Sequence, residues 1–424
     1  MTHRQPRSQR GVAALFVTVM LCFLMVLAVA VAQRNVAVEE QRSANDLRSS
    51  IAFEAADAGL EWALARINDP SPATDTCLPS ADPAAPSFRA RMLRIDAAGG
   101  AVVPTTWDDA GMATPLRADC VRAAAGWTCS CPASGRPVLP APDGGATAAT
   151  FFVELKASSR AGVVGVVATG CTRAGVDGGC AAPSAAGREA TRRIETAWAL
   201  LPALRALPAA ALTVGGDVDV GAAALGVHNV DAASGGLAVH AGGRIVASAL
   251  RVGAPSGASL GASLVDGDAS LRALAAGRLF ARHFGMDRPA WTAQPAARRV
   301  ACSGDCTSAV ADAVAAGARL VAVEGDAELA GPLALGAADD PVALAVSGTL
   351  RLSRGVAIHG IVHAASLEWN DATAVDAFVR GAVVVAGDVR GNAGVDLVRD
   401  RAVLERLART SGSFVRVNGS WKDF

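Results

Sequence analysis

The cysteines are the side chains in this 424-residue sequence that are best suited to covalent chemistry. One of the nine, Cys22, lies in an uncharged apolar run, which leaves an even number outside it. An even number in an exported chain favours disulfides over free thiols. The alternative, a metal centre, is weaker because no C-x-x-C spacing occurs and the histidines are scattered away from the cysteines. The disulfide candidates are Cys77, Cys120, Cys129, Cys131, Cys171, Cys180, Cys302 and Cys306.

Sequence separation suggests how these cysteines pair. Cys129 and Cys131 are only two residues apart, and a bridge between them would be strained. Each is therefore expected to reach Cys77 or Cys120, and two connectivities remain open. The nearest local partners among the others are Cys171 with Cys180, and Cys302 with Cys306.

Two further groups have the residue types of a catalytic or metal site. His359 and His363 are four residues apart, but the Val- and Gly-rich sequence around them is typical of a strand rather than of a metal-binding helix. Glu324, Asp326 and Glu328 alternate along a predicted strand, a pattern that suits paired carboxylates in glycan cleavage. Alternating acids more often form the solvated face of a strand, and we expect that role.

The remaining motifs argue against an enzyme. Asp266-Gly267-Asp268 lacks the further ligands of a calcium loop, and no phosphate-binding loop with its lysine occurs. Lys plus Arg and Asp plus Glu both number 39, and no basic stripe with aromatics appears. The sequence therefore predicts no catalysis, no cofactor, no metal and no nucleic-acid partner.

The N-terminal segment predicts where the rest of the chain lies relative to a membrane. Residues 11–32 carry no charge, and 22 residues in a helix span about 33 Å, enough to cross a bilayer core. A short leader with Arg4, Arg7 and Arg10 precedes this run, and the first acidic residue is Glu39. Positive charge stays inside, so residues 1–10 are expected in the cytoplasm and the bulk on the other side of the inner membrane.

The apolar run continues as an amphipathic helix. Leu47, Ile51, Ala55 and Trp62 belong to an apolar stripe with spacings of three and four, and charged residues fill the other faces. Asn68-Asp69-Pro70 supplies a stop. One helix is therefore predicted over residues 12–67, apolar all round in its first half and amphipathic in its second.

This arrangement resembles the N-terminus of type IV pilins, and most closely that of minor pilins of the PilX type. The likeness covers roughly residues 9–67 and is most specific over residues 52–61, Ala-Phe-Glu-Ala-Ala-Asp-Ala-Gly-Leu-Glu. It implies that residues 1–11 are a leader, that prepilin peptidase cuts after Gly11, and that Val12 becomes the mature N-terminus. It also implies other major and minor pilins as partners.

One position departs from the family pattern. Most pilins carry Glu at the fifth mature position, where it is thought to pair with the N-terminal amine of a neighbour, whereas this chain has Phe16. The resemblance therefore implies a subunit that is not the repeating major pilin. The type II secretion tip pseudopilin, which also lacks that Glu, is the nearest rival.

The N-terminus also allows two simpler interpretations. Residues 30–32, Ala-Val-Ala, suit signal peptidase, which would leave Gln33 as the new terminus. The apolar run is longer than a usual signal core and continues directly into the amphipathic helix, which favours the pilin interpretation. An uncleaved membrane anchor is the other alternative.

Past the helix we predict two parts, a disulfide-stapled head over residues 68–200 and a β-rich C-terminal domain over 201–424. Residues 69–148 are rich in Pro, Ala, Asp and Gly and are expected to be irregular. Residues 151–157, 163–171 and 190–200 show strand alternation, and by the pilin resemblance they would form a small antiparallel sheet on the helix.

The C-terminal region contains short Val- and Leu-rich runs with recurrent Gly-Asp or Gly-Thr punctuation. This pattern favours a parallel β-solenoid, with a β-sandwich as the alternative. Helices are expected near residues 268–283, 307–316 and 396–410. A packed final strand is expected with Trp421 and Phe424 as anchors.

Two functions of different class follow. The first is a minor pilin that primes or caps a type IV pilus and displays its C-terminal domain for surface contact, with an unknown surface ligand. The second is a membrane-tethered solenoid enzyme or glycan-binding protein. A continuous amphipathic helix favours the first, because a simple tether needs none.

Overall fold

The computed structural model describes residues 10–139, 148–175, 179–181, 189–370 and 377–424. A long helix, α1 (Arg10–Asn68), precedes an antiparallel sheet, here called the head sheet, and a parallel β-solenoid. The predicted α+β class, with a long N-terminal helix followed by a β-rich domain, is confirmed. The predicted helix bounds agree with α1 to within two residues.

The elements of the head that follow α1 are α2 (Phe88–Met92), β1 (Leu93–Ile95), β2 (Val102–Pro104), β3 (Thr106–Asp109), β4 (Met112–Pro115), β5 (Arg117–Ala123), β6 (Gly126–Ser130), β7 (Thr150–Ala157), β8 (Val163–Cys171) and β9 (Thr191–Pro202). The strands of the solenoid are β10 (Leu212–Val214), β11 (Val218–Gly221), β12 (Gly226–His228), β13 (Val239–Ala241), β14 (Ile245–Ala247), β15 (Arg251–Gly253), β16 (Leu264–Val265), β17 (Ala297–Val300), β18 (Gly304–Asp305), β19 (Leu320–Val323), β20 (Ala327–Ala330), β21 (Leu333–Leu335), β22 (Val342–Val346), β23 (Thr349–Ser353), β24 (Val356–Ala364), β25 (Ser366–Asn370), β26 (Phe378–Val385), β27 (Val389–Gly391) and β28 (Asp396–Arg399). Its helices are α3 (Ala269–Arg272), α4 (Ala276–Phe284), α5 (Arg288–Thr292), α6 (Thr307–Ala315) and α7 (Arg401–Thr410), and the last strands are β29 (Gly412–Arg416) and β30 (Lys422–Asp423).

The head sheet has the antiparallel order β29-β9-β8-β7-β5-β6. Helix α1 packs across β7, β8 and β9, which are the three strands predicted from alternation. Apolar side chains from both layers fill the space between helix and sheet, among them Leu60, Ile67, Phe151, Ile194 and Trp198, all fully buried. The amphipathic stripe of the helix is therefore the face that the sheet covers.

The expectation of irregular structure over residues 69–148 was wrong. This segment contains α2 and six short strands, and β5 and β6 extend the head sheet beyond β7. Alternation is hard to detect in such short strands, and β5 is buried over four consecutive residues, so its pattern is not alternating at all. Pairing with β7 and a disulfide across β5 and β6 determine its conformation.

The last strands belong to the head rather than to the solenoid. β29 pairs antiparallel with β9, from Gly412 opposite Pro202 to Arg416 opposite Trp198. The solenoid is therefore an insertion between two neighbouring strands of the head sheet, which differs from the division predicted at residue 200. The expected anchors Trp421 and Phe424 are 41% and 64% exposed, and Phe414 in β29 is the buried aromatic instead.

A polar cluster at the end of α1 holds β29 in place. The Asn68 side-chain amide donates to the Phe414 carbonyl oxygen at 2.9 Å, and its oxygen accepts from the Phe414 amide at 2.7 Å. The Arg89 guanidinium donates to the carbonyl oxygens of Ile67 and Gly412 at 2.7 and 2.9 Å. Burial lowers the pKa of Arg89 to about 10, so this guanidinium stays charged at neutral pH.

The solenoid has three faces, and every strand pairing between its coils is parallel. This excludes the β-sandwich alternative, whose sheets are antiparallel. The stack does not follow the sequence: β17, β19, β22, β24 and β26 succeed one another, and β10 then lies on β26, with Leu212 opposite Val383. The first coils along the chain, residues 212–265, therefore continue the stack where its last coil ends.

The Gly-Asp pairs at residues 216–217, 325–326 and 387–388 lie at the same corner of three coils of the solenoid. The Asp326 carboxylate accepts a hydrogen bond from the Thr349 amide in the next coil at 2.8 Å. In the same way, the Asp388 carboxylate accepts from the Asp217 amide, and the Asp217 carboxylate accepts from the Arg244 amide, both at 2.9 Å. The hydrogen bond from Arg244 is the main cause that lowers the pKa of Asp217. The corner aspartates thus satisfy backbone amides where the ladder is interrupted by the turn.

Helices cover one face and one end of the solenoid. Phe280, Phe284, Trp291 and Leu404, from α4, α5 and α7, pack on the outer side of the face formed by β19, β22, β24 and β26. Helix α6 places Val310 in the solenoid interior and closes the end beyond β21. Two short helices, α3 and α4, stand where one was expected near residues 268–283, and residues 396–399 are strand β28 rather than helix.

Candidate functional site: the N-terminal helix

The first half of α1 projects beyond the head sheet. Side chains from Val12 to Val38 are exposed, including Leu15, Phe16, Phe23 and Leu24, at 58–67% exposure. Exposed apolar surface of this extent marks contact with lipid or with other proteins. In the described part of the chain, this is the one helix long and apolar enough to cross a membrane.

The second half of α1 is built for close contact with the head sheet. Ala52, Ala55 and Ala56 are buried, and β8 crosses them at Gly170, where an added Cβ would overlap the Ala52 carbonyl oxygen. At Gly59 an added Cβ would lie 2.8 Å from Cδ2 of Phe151. The small residues of the 52–61 stretch therefore permit the helix backbone to approach the sheet, which gives this stretch a packing role.

Between these halves, none of the residues that the structure describes covers the helix. Residues 33–43 are exposed, and the stretch contains Glu39, Glu40 and Arg42. The apolar half is thus separated from the head by a solvated helical segment of roughly three turns. Because the helix continues through this segment without a break, a single continuous helix joins the apolar half to the head.

The residues of the predicted processing site lie at the exposed N-terminal end of α1. The backbone of Arg10 and Gly11 is helical, Val12 is 73% exposed and Phe16 is 65% exposed. Phe16 therefore presents an aromatic ring, and no carboxylate, at the helix surface. The leader residues 1–9, with Arg4 and Arg7, lie outside the described residues.

The cysteines form four disulfides in the structure. Cys77 pairs with Cys131 and Cys120 with Cys129, which is one of the two connectivities that the sequence leaves open. The two local pairs are those expected, Cys171 with Cys180 and Cys302 with Cys306. Cys22 is free and exposed in the apolar half of α1.

The three acids on the solenoid do not converge. Glu324 forms an ion pair with Arg288 at 2.7 Å, Asp326 is the corner carboxylate bound to the Thr349 amide, and only Glu328 lies on a strand. The expectation of alternation along one strand was wrong for Glu324 and Asp326, because the strand is broken by the corner. Asp268 caps α3 and accepts from His240 at 2.7 Å, and its neighbour Asp266 is exposed.

The two histidines lie on β24 and have different surroundings. His359 is half-buried with its ring 5.2 Å from that of Phe378. His363 is buried, its ring lies 4.8 Å from that of Phe280, and neither ring nitrogen has a hydrogen-bond partner among the described residues. Burial, with smaller contributions from Arg288 and His283, lowers the pKa of His363 to about 4. Within the described ranges no group of three His, Cys, Asp or Glu side chains is arranged to hold a metal ion.

His363 predicts a pH-dependent stability. An unfolded histidine has a pKa near 6.5. Between pH 6.5 and about pH 4, His363 therefore binds fewer protons in the folded state than in the unfolded state. The contribution of neutral His363 to the free energy of unfolding is therefore fully present above about pH 6.5. It falls by up to about 3 kcal/mol as the pH drops toward 4. We expect His363→Phe to lose less stability between pH 7 and pH 4.5 than the parent chain does, measured by urea unfolding of both in detergent micelles. Parallel losses in the two proteins would contradict this.

No family model matches the chain, and no curated protein matches it. Among solved structures, a crystal structure of the competence-associated pilin ComZ from Thermus thermophilus is similar at 13% sequence identity and a TM-score of 0.21. The match covers 89% of this chain and 98% of that chain. A TM-score of this size carries no argument about fold or function.

Proposed function

We propose that this chain is a minor pilin, which primes or caps a type IV pilus and displays its solenoid for surface contact. One observation carries the proposal: the exposed apolar half of α1 continues without a break into the half that docks on the head sheet. A signal peptide would be removed, and a simple tether would not need a rigid helix joined to a folded head.

In this proposal the first half of α1 anchors the subunit in the inner membrane, with the leader in the cytoplasm and the bulk in the periplasm. Extraction into a filament then exchanges lipid contacts for contacts with the helices of other major and minor pilins. The role is structural and adhesive rather than catalytic. The corner aspartates and ion-paired acids of the solenoid support this, since they are engaged in holding its coils together.

The N-terminal residue of the mature protein tests the proposal. We expect cleavage by prepilin peptidase between Gly11 and Val12 and an N-methylated Val12, because the leader meets the apolar run at this junction. Mass spectrometry of the N-terminal peptide from membranes reads this directly. Intact Met1 would support an uncleaved anchor, and Gln33 as the first residue would support a signal peptide, so either result would overturn the proposal.

Phe16 predicts a low copy number. A subunit whose amine lies against Phe16 of this chain would leave that charge unpaired in an apolar filament core, which is costly. Many copies in succession are therefore disfavoured, and we expect few copies per pilus, at a position with one neighbour missing, most simply the tip.

Immunogold labelling of sheared pili measures the copy number. We expect sparse, terminal labelling for the parent chain and several-fold more label for Phe16→Glu. Val17→Glu places the same charge one position away and is expected to leave the label sparse. Dense labelling along filaments of the parent chain, or no difference between the two variants, would contradict the proposed role of Phe16.

A further inference from the structure

Residues 269–296, here called the strap, connect the two ends of the solenoid. Strand β16, just before the strap, pairs with β13 at one end of the stack, and β17, just after it, pairs with β19 at the other end. Between them the strap contains helices α3, α4 and α5, and no strand lies within this fully described segment. The strap can therefore leave the solenoid without breaking any strand pairing between coils.

Apolar packing holds the strap on the outer face of β22, β24 and β26. Phe280, Phe284 and Trp291 contact one another with ring centroids 4.1 to 5.9 Å apart, and they pack on the outward side chains of these strands. The Trp291 indole N–H donates to the Ala203 carbonyl oxygen at 3.0 Å. The strap is thus attached by side chains rather than by a backbone ladder.

His363 lies beneath this aromatic packing. It belongs to β24, between Ala345 of β22 and Val384 of β26, and its ring is 4.8 Å from that of Phe280. Neither of its ring nitrogens has a hydrogen-bond partner within the described ranges. A neutral imidazole is tolerated in such a place far better than an imidazolium, because an unpaired buried charge is costly. The strap therefore closes over a neutral side chain.

The titratable groups that face His363 are mostly basic. Helix α4 contributes His283 and α5 contributes Arg288, while β22, β26 and α7 contribute apolar side chains. Burial is the largest cause that lowers the pKa of His363, and Arg288 and His283 lower it further. The acid of this group, Glu324, already forms an ion pair with Arg288, and its side chain is 64% exposed. On the same strand, His359 lies four residues away. An imidazolium at His363 would therefore add a second cation beside Arg288.

We propose that protonation of His363 releases the strap from the solenoid while the coils beneath it stay folded. Release lets water solvate the imidazolium and separates it from Arg288, and both changes remove the cost of the buried charge. The opening is local because the strap contributes no strand to the stack. It uncovers the apolar outer side of the face, including Ile361 and Val384. The inference concerns where in the molecule the response to acid occurs, and it does not depend on the proposed assembly role.

Hydrogen exchange of the full chain in detergent micelles at pH 7.0 and pH 4.5 tests this. Rates are divided by the intrinsic rate at each pH, so that protection is compared directly. We expect the protection of residues 277–292 to fall at least about tenfold at pH 4.5, and that of β22 and β24 to change less than about twofold. His363→Phe cannot be protonated and should keep the strap several-fold better protected at pH 4.5 than in the parent chain. His359→Phe, the same change four residues earlier in β24, should behave like the parent chain.

Three outcomes would overturn the proposal: strap protection that does not change with pH, equal loss of protection in the strap and in β22 and β24, or the same loss in His363→Phe as in the parent chain. Urea unfolding at pH 7.0 checks that His363→Phe is folded. His363→Leu, which cannot be protonated either, gives the same test with a smaller side chain if phenylalanine does not fit beside Phe280.

Discussion

Reduction is expected to unfold the head while the solenoid stays folded. Three of the four disulfides lie in the head, and Cys77–Cys131 joins residues 54 apart in the sequence. On the chain-entropy model this closure contributes about 4 kcal/mol, and each of the two shorter closures about 3 kcal/mol. The interior of the solenoid is a continuous apolar stack, and it has only Cys302–Cys306, which closes a short loop.

Limited proteolysis with and without reductant, with cut sites mapped by mass spectrometry, measures the effect. We expect cuts within residues 69–200 to appear on reduction before cuts within 212–399. A Cys22→Ser variant should behave like the parent chain, since Cys22 is free, and Cys302→Ser with Cys306→Ser should leave the head protected in oxidising buffer. Equal protection of the head with and without reductant would refute the prediction.

Gly170→Ala should separate α1 from the head sheet. The new Cβ would overlap the Ala52 carbonyl oxygen and the Ala56 amide nitrogen, which are backbone atoms of α1 and cannot rotate away. Overpacking typically costs 1–3 kcal/mol, and a clash with backbone places this variant at about 3 kcal/mol or more. Gly165→Ala in the same strand is the matched control, because its Cβ would meet only Lys156, with its nearest atom 3.3 Å away.

Hydrogen exchange of the α1 amides reads out this separation. We expect amides of residues 52–67 to exchange much faster in Gly170→Ala than in the parent chain, and near the parent rate in Gly165→Ala. Unfolding in urea should show the same order of stability. If both variants matched the parent chain, the close contact at Gly170 would not be the feature that holds the helix on the sheet.

Sequence patterns predict the elements that are long or locally determined. Helix α1 and strands β7, β8 and β9 are long enough to show their periodicity, and α6 was expected within one residue of its bounds. Strands β1 to β4 and β6 are too short for that signal, and β5 is buried over four consecutive residues and so does not alternate. The identity of the sheet edge is also invisible, because β29 joins β9 only through pairing across more than 200 residues.

The solenoid shows the same limit in its repeat. Gly348 and Gly387 are 39 residues apart, yet two coils lie between them, because the intermediate corner has Ala365 in place of glycine. The sequence separation between corner glycines is therefore uneven, although the corners themselves lie on successive coils of the stack. Pairing of β10 with β26 depends on where the chain re-enters the stack, which no local pattern records.

The way in which the solenoid is inserted determines when the molecule can be completed during export. In the proposed topology the leader stays in the cytoplasm and the chain is exported from the anchor onward, so β9 and β10 emerge long before their neighbours β29 and β26. Pairings of such high sequence separation fold slowly, since a long loop must close first. The head sheet therefore keeps a bare edge at β9 until residues 412–416 have emerged, and β10 keeps one until residues 383–385 have emerged. A product truncated before residue 412 is expected to be recognised by proteases, so that full-length chains accumulate in preference to it.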